Sequence, residues 1–189
     1  MWFLLISLTA QATEFRLEQH RVRPIAGHPV VDLRVGVDAV TQGQDRIHPY
    51  ICGEVSPFRR FSIEACGNGS GVLHQADGPD VAHFRLRSVV FASQGTRVDG
   101  SVVVGVGFAE VQRATDKPGF RFGAASGDQV EAAGPEASLG LKGRYWVTGR
   151  NYLTADLVGG SAYVPGAPSV MGWSSPIVPF VSFTMGVGF

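Results

Sequence analysis

The stretch IVPFVSFTMGVGF, residues 177–189, decides the fold, because Ile177, Val181, Phe183, Met185, Val187 and Phe189 fall on alternate positions. Successive side chains of an extended chain point to opposite sides, so these residues share one face of a strand. The same period of two recurs along the chain in about eight segments. Near 29–40, Val31, Leu33, Val35, Val37 and Ala39 alternate with Asp32, Arg34, Gly36 and Asp38. Near 46–56, Ile47, Ile51 and Val55 oppose His48, Tyr50, Cys52 and Glu54. Phe61, Ile63 and Ala65 then alternate with Arg60, Ser62, Glu64 and Cys66, and Ala82, Phe84, Leu86, Val90 and Ala92 with His83, Arg85 and Arg87. Val102, Val104, Val106 and Phe108 mark a fifth strand whose other face carries Ser101, Gly105, Gly107 and Ala109. In the sixth, Ala137, Leu139, Leu141, Tyr145 and Val147 oppose Glu136, Ser138, Lys142 and Arg144; in the seventh, Leu153, Ala155 and Leu157 oppose Tyr152, Thr154 and Asp156. Pro49 and Pro179 fit such strands only at a bulge or a strand end.

The connections alternate in length. Those at 57–59, 94–99 and 149–150 are short, whereas 67–80, 112–135 and 159–175 are long; 41–45 is the short exception. With 189 residues, 25 Gly and 11 Pro, the chain reads as one all-β domain and not a helical bundle. The 16 Lys+Arg balance the 16 Asp+Glu without a basic run, which excludes nucleic acid as an expected partner. Residues 1–8 are apolar and precede Ala10-Gln11-Ala12, a small-residue cleavage pattern. Residues 1–12 therefore read as a signal peptide, leaving open a start upstream of Met1. The mature chain begins near Thr13, with 13–28 an N-terminal segment, periplasmic if the chain is exported across an inner membrane, and 29–189 the β-strand domain.

An exported chain meets an oxidising compartment, where Cys52 and Cys66 are expected to pair. A hairpin centred on Arg59 sets Cys52 directly opposite Cys66, at a separation a disulfide tolerates. The same hairpin sets Glu54 opposite Glu64, and a turn around Gly43 sets Asp32 opposite Glu54. Such a row of carboxylates needs cations. Arg34, Arg85, Arg87, Lys142 and Arg144 share the polar face, with Lys142 or Arg144 set beside Asp156 across the 149–150 turn. Eight strands leave an interior only wide enough for side chains, so a salt-bridge fill is expected ahead of a gated or proton-linked pore. Gly105 and Gly107 lie near Arg85 and Arg87, where a narrow interior needs room.

Alternating apolar strands, unequal turns and a final aromatic make the chain similar to small eight-stranded bacterial outer-membrane barrels of the OmpA transmembrane-domain and OmpX type. The resemblance implies an eight-stranded antiparallel up-and-down transmembrane β-barrel in the outer membrane. It also implies that Val181, Phe183, Met185, Val187 and Phe189 form a C-terminal signal for the barrel-assembly machinery. Outer-membrane lipids, lipopolysaccharide and a surface or envelope protein are the expected partners, reached through the long loops. Arg113, Lys117 and Arg121 could meet lipopolysaccharide phosphates. Tyr145, Trp146, Tyr152 and Trp173 would suit interfacial girdles where they face outward. No cofactor, metal or catalytic residue is expected. Two alternatives stand beside this reading. One is a lipid A-modifying enzyme, for which Ser70, His74, Asp77 and Asp80 give the only sketch. The other is a soluble ligand-binding barrel with its apolar face turned inward.

Overall fold

The structure, a computed structural model, describes residues 30–40, 48–67, 80–113 and 130–189. The leader 1–12, the segment 13–28 and Ser70, His74, Asp77, Lys117 and Arg121 lie outside the described residues. Eight strands close into one antiparallel barrel in sequence order: β1 (Val30–Val40), β2 (His48–Phe58), β3 (Phe61–Gly67), β4 (Asp80–Gln94), β5 (Val98–Gln112), β6 (Glu131–Trp146), β7 (Tyr152–Tyr163) and β8 (Ile177–Gly188). β1 and β8 pair from Asp32↔Gly188 to Val40↔Phe180, so no edge strand remains. Phe189 and Val31 exchange backbone hydrogen bonds of 2.9 and 3.0 Å at that seam.

The faces are inside out relative to a soluble barrel. Leu33, Val35, Ile63, Leu86, Val106, Leu139, Leu141, Phe183 and Met185 point away from the lumen, Val35 at 64% exposure. Asp32, Arg34, Glu54, Glu64, Arg85, Arg87, Lys142 and Asp156 are buried inside. Such a continuous apolar exterior far exceeds what a soluble monomer leaves in water. The soluble ligand-binding barrel, which needs the opposite arrangement, is thereby contradicted.

Local departures from strict alternation have structural causes. The β2–β3 turn is Arg59-Arg60, centred half a residue beyond Arg59, with Phe58 opposite Phe61. An irregularity between Val55 and Phe58 absorbs the difference, so Cys52 still faces Cys66 and Glu54 still faces Glu64. In β4 a shift between Val89 and Phe91 inverts the phase. Phe91 then pairs with outward Val102, and Ala92, expected outside, pairs with inward Ser101. Both prolines occupy strand ends: Pro49 pairs with Val37 beyond the last β3 partner, and Pro179 with Ser161 beyond the last β1 partner.

The longest corrections fall at the end opposite the tight turns. β6 begins four residues before Pro135, and β7 continues to Tyr163, so the seventh connection is shorter than 159–175. It contains a short helix α1 (Ala167–Met171), closed by Gly172 in the left-handed conformation at φ 70°. This connection was expected to be a displayed loop. Instead Val164, Ala167, Val170 and Trp173 pack against Val81, Ala109, Val111, Ala132, Ala162, Val178 and Phe180, capping the mouth with an apolar layer.

Candidate functional site

Below that cap the lumen is filled by ions contributed from strands on every side. Strand alternation fixes their faces and the register sets their heights: Asp32 pairs with Glu54, Glu54 with Glu64, and Glu64 with Arg85. Three carboxylates in a row are tolerable because guanidinium and ammonium groups reach them. The Arg34 Nη2 donates to Glu54 at 2.7 Å and to Glu64, while its Nη1 donates to Asp156. The Arg87 Nη1 donates to Glu64 and Asp156, both at 2.6 Å, and to Glu54 at 3.1 Å. Lys142 donates to Asp32 and, at 2.9 Å, to Glu54. Although Lys142 is directly opposite Asp156 in the ladder, Asp156 is held by Arg34 and Arg87. The expected local pair is replaced by cross-lumen pairs. Arg144 stands at the rim, 3.8 Å from Asp32, its guanidinium over the Tyr152 ring.

A second cluster was not foreseen. His83 sits at the height of the disulfide, opposite Cys66, and its Nδ1 lies 2.6 Å from Glu136 Oε2. The Arg85 Nε donates to the other Glu136 oxygen at 2.5 Å, and its Nη1 to Glu64 at 2.9 Å, joining the two clusters. Phe180 covers both, with its ring 4.4 Å from that of His83 and 4.8 Å from the Arg85 guanidinium carbon. The sequence signal for this cluster was the inward phase of His83 and Glu136, which alternation alone supplies.

The glycines opposite the arginines provide the space. Arg87 pairs with Gly105 and Arg85 with Gly107. A Cβ at Gly105 would run into Ser138 Oγ while touching Arg85 Cδ at 3.6 Å and Arg87 Cγ at 3.7 Å, and one at Gly140, opposite Val103 and Val158, would be 3.1 Å from Arg87 Nη2 and 3.4 Å from Asp156 Oδ1.

Cys52 and Cys66 form the disulfide, with their Cα atoms 4.2 Å apart and both residues buried on the lumen side. Neither sulfur is therefore a metal ligand. Glu54, Glu64 and Asp156 bring carboxylate oxygens together as a cation site would. The cations they bind are Arg34, Arg85, Arg87 and Lys142, so the chemistry of the cluster is charge neutralisation. Burying such groups costs several kcal/mol per ion, and multiple good hydrogen bonds are what offset that cost.

Of the expected girdle aromatics, only Tyr145 is exposed on the outer face. Trp146 pairs with Tyr152 on the inner face and donates to Asp99 at 2.6 Å, while Trp173 belongs to the cap. The terminal residues Val181, Phe183, Met185, Val187 and Phe189 all lie on the outer face, about half exposed.

No protein-family model matches the chain, and no curated protein matches it. Among solved structures, Neisserial surface protein A is similar at a TM-score of 0.52 and 9% identity, over 85% of this chain and 94% of that one. The N-terminal β-barrel domain of Pseudomonas aeruginosa OprF is similar more loosely, at a TM-score of 0.44 and 12% identity over 85% of this chain and 97% of that one. The first likeness is one of fold. The chain has the closed eight-stranded antiparallel architecture of the small outer-membrane barrels.

Proposed function

We propose that the chain is an integral protein of the bacterial outer membrane, anchored by its barrel and acting on the extracellular side through the connections at 68–79, between β3 and β4, and 114–129, between β5 and β6. The supporting observation is the inversion of faces: large apolar side chains outside, ions inside. In a bilayer that exterior is solvated by acyl chains, and a closed barrel satisfies every spanning backbone group between strands. The ion-filled lumen is a structural fill, and the partners are lipopolysaccharide or a surface protein met by the loops. The outer face of β8 serves as the recognition strand for the assembly machinery. No catalytic role is assigned.

Fractionation of cells expressing the full chain tests this. The protein should reach the outer-membrane fraction and migrate differently on gels before and after boiling. Recovery as a soluble periplasmic protein would overturn the proposal. Discrete conductance steps in a planar bilayer would overturn the structural-fill part, and deacylated lipid A after incubation with the protein would overturn the absence of catalysis.

A further inference from the structure

Among the described residues, three tight turns join strands, and all three carry arginine and none an acid. Arg59 and Arg60 form the β2–β3 turn, Arg97 lies in the β4–β5 turn, and Arg150 lies in the β6–β7 turn. Each is exposed, and none forms an ion pair among the described residues. Because each turn is separated from the next by two strands of a closed barrel, these side chains are distributed around one rim. The nearest acidic side chain in the adjoining strands, Asp99, accepts a hydrogen bond from Trp146. Immediately beside the arginines the outer face carries Phe58, Phe61, Phe91, Tyr145 and Val147, all exposed. In the sequence, by contrast, the connections 68–79 and 114–129 carry acids, Asp77, Asp116 and Asp128, with Lys117 and Arg121 in the second, while the β7–β8 connection 164–176 carries no charge.

Guanidinium groups directly bordering an aromatic and apolar belt stand at the depth of headgroup phosphates, with their stems over the acyl boundary. Guanidinium also binds phosphate through paired donors, which favours it over lysine at such a surface. We propose that the turn-end rim is a binding surface for anionic phospholipid headgroups of the periplasmic leaflet, with Arg59, Arg60, Arg97 and Arg150 as its phosphate ligands. This rests on the outer-membrane reading, which puts the tight turns on the periplasmic side.

The test is native mass spectrometry of the refolded full chain, released from vesicles containing equal amounts of phosphatidylglycerol and phosphatidylcholine. The expected preference for retained phosphatidylglycerol is about tenfold, because basic residues near an anionic surface attract its headgroups. It should fall as ionic strength rises. Replacing all four with glutamine (R59Q, R60Q, R97Q and R150Q) should abolish the preference, while the four lysine replacements should keep part of it. Equal retention of the two lipids by the unaltered chain would overturn the proposal, as would a preference that survives the glutamine changes. A third arm replaces phosphatidylglycerol by lipid A, whose phosphates belong to the other leaflet. Retention there that depends equally on the four arginines would overturn the assignment to periplasmic-leaflet phospholipid. Heat-modifiable mobility in phosphatidylcholine vesicles keeps the two ideas apart: its loss in every chain defeats the membrane reading, and its presence without lipid preference defeats only the arginine rim.

Discussion

Arg34→Met removes the guanidinium that binds three carboxylates from three different strands. Glu54, Glu64 and Asp156 would lose one donor each, and methionine would refill part of the volume with a flexible apolar chain. Removing one partner of a buried ion pair costs about 3–5 kcal/mol, because the opposite charge is left uncompensated. Here the remaining contacts soften the loss: Glu54 keeps Lys142 and Arg87, Glu64 keeps Arg85 and Arg87, and Asp156 keeps Arg87. The expected destabilisation is therefore about 3 kcal/mol, at the lower end of that range. Urea unfolding in lipid vesicles, followed by tryptophan fluorescence and gel mobility, measures it. Arg150→Met is the control: its side chain is exposed in a turn, and its loss should change stability by less than about 0.5 kcal/mol. A loss below about 1 kcal/mol for Arg34→Met would match a solvent-screened pair. That result would refute a packed lumen and indicate a water-filled one, where high dielectric weakens each contact.

Other outcomes follow from the same geometry. Val35→Arg or Leu141→Lys places a charge on the outer face and should cost about 2–4 kcal/mol at mid-bilayer, seen as poor insertion into vesicles. Cys52→Ser combined with Cys66→Ser should still give a barrel, but one less stable by about 3 kcal/mol in vesicle unfolding. In the unaltered chain, peptide mapping without reductant should recover one internal link. Phe189→Ser keeps both backbone hydrogen bonds to Val31 and removes only an outward ring, so its purified stability should barely change. A fall in its outer-membrane level in cells would then reflect assembly, and normal levels would remove the terminal-signal argument.

Much of the fold is legible in the sequence because a membrane barrel is built from one repeated rule. Period-two alternation names the strands and their faces, and short turns fix neighbouring registers, which is why the row Asp32, Glu54 and Glu64 can be placed from turn centres. The Cys52 register is found through compensating local geometry: the turn is centred half a residue further on, which shifts the pairing by one, and the irregularity before Phe58 restores the alignment. What alternation does not encode is less accessible. The phase inversion in β4 follows an extra residue that apolar Val89-Val90-Phe91 leaves unmarked. Lys142 does lie beside Asp156 as the turn requires, but the ion contacts of Asp156 depend on which long side chains cross the lumen, and Arg34 and Arg87 supply them. The inward cap formed by Val164 to Trp173 had no periodic signal, since its apolar residues answer to the shape of the barrel mouth.

The central claim is that the apolar face meets lipid while the interior does not, and quenching by brominated acyl chains measures it directly. Two single-tryptophan proteins suffice, one retaining only Trp173 and one carrying Leu141→Trp with the native tryptophans changed to phenylalanine. Leu141 is 57% exposed on the outer face, whereas Trp173 is 8% exposed within the cap. In vesicles the Leu141→Trp probe should be strongly quenched by bromolipid and weakly by aqueous acrylamide, with Trp173 sheltered from the bromolipid. A Leu141→Trp probe quenched by acrylamide and untouched by bromolipid would contradict the account.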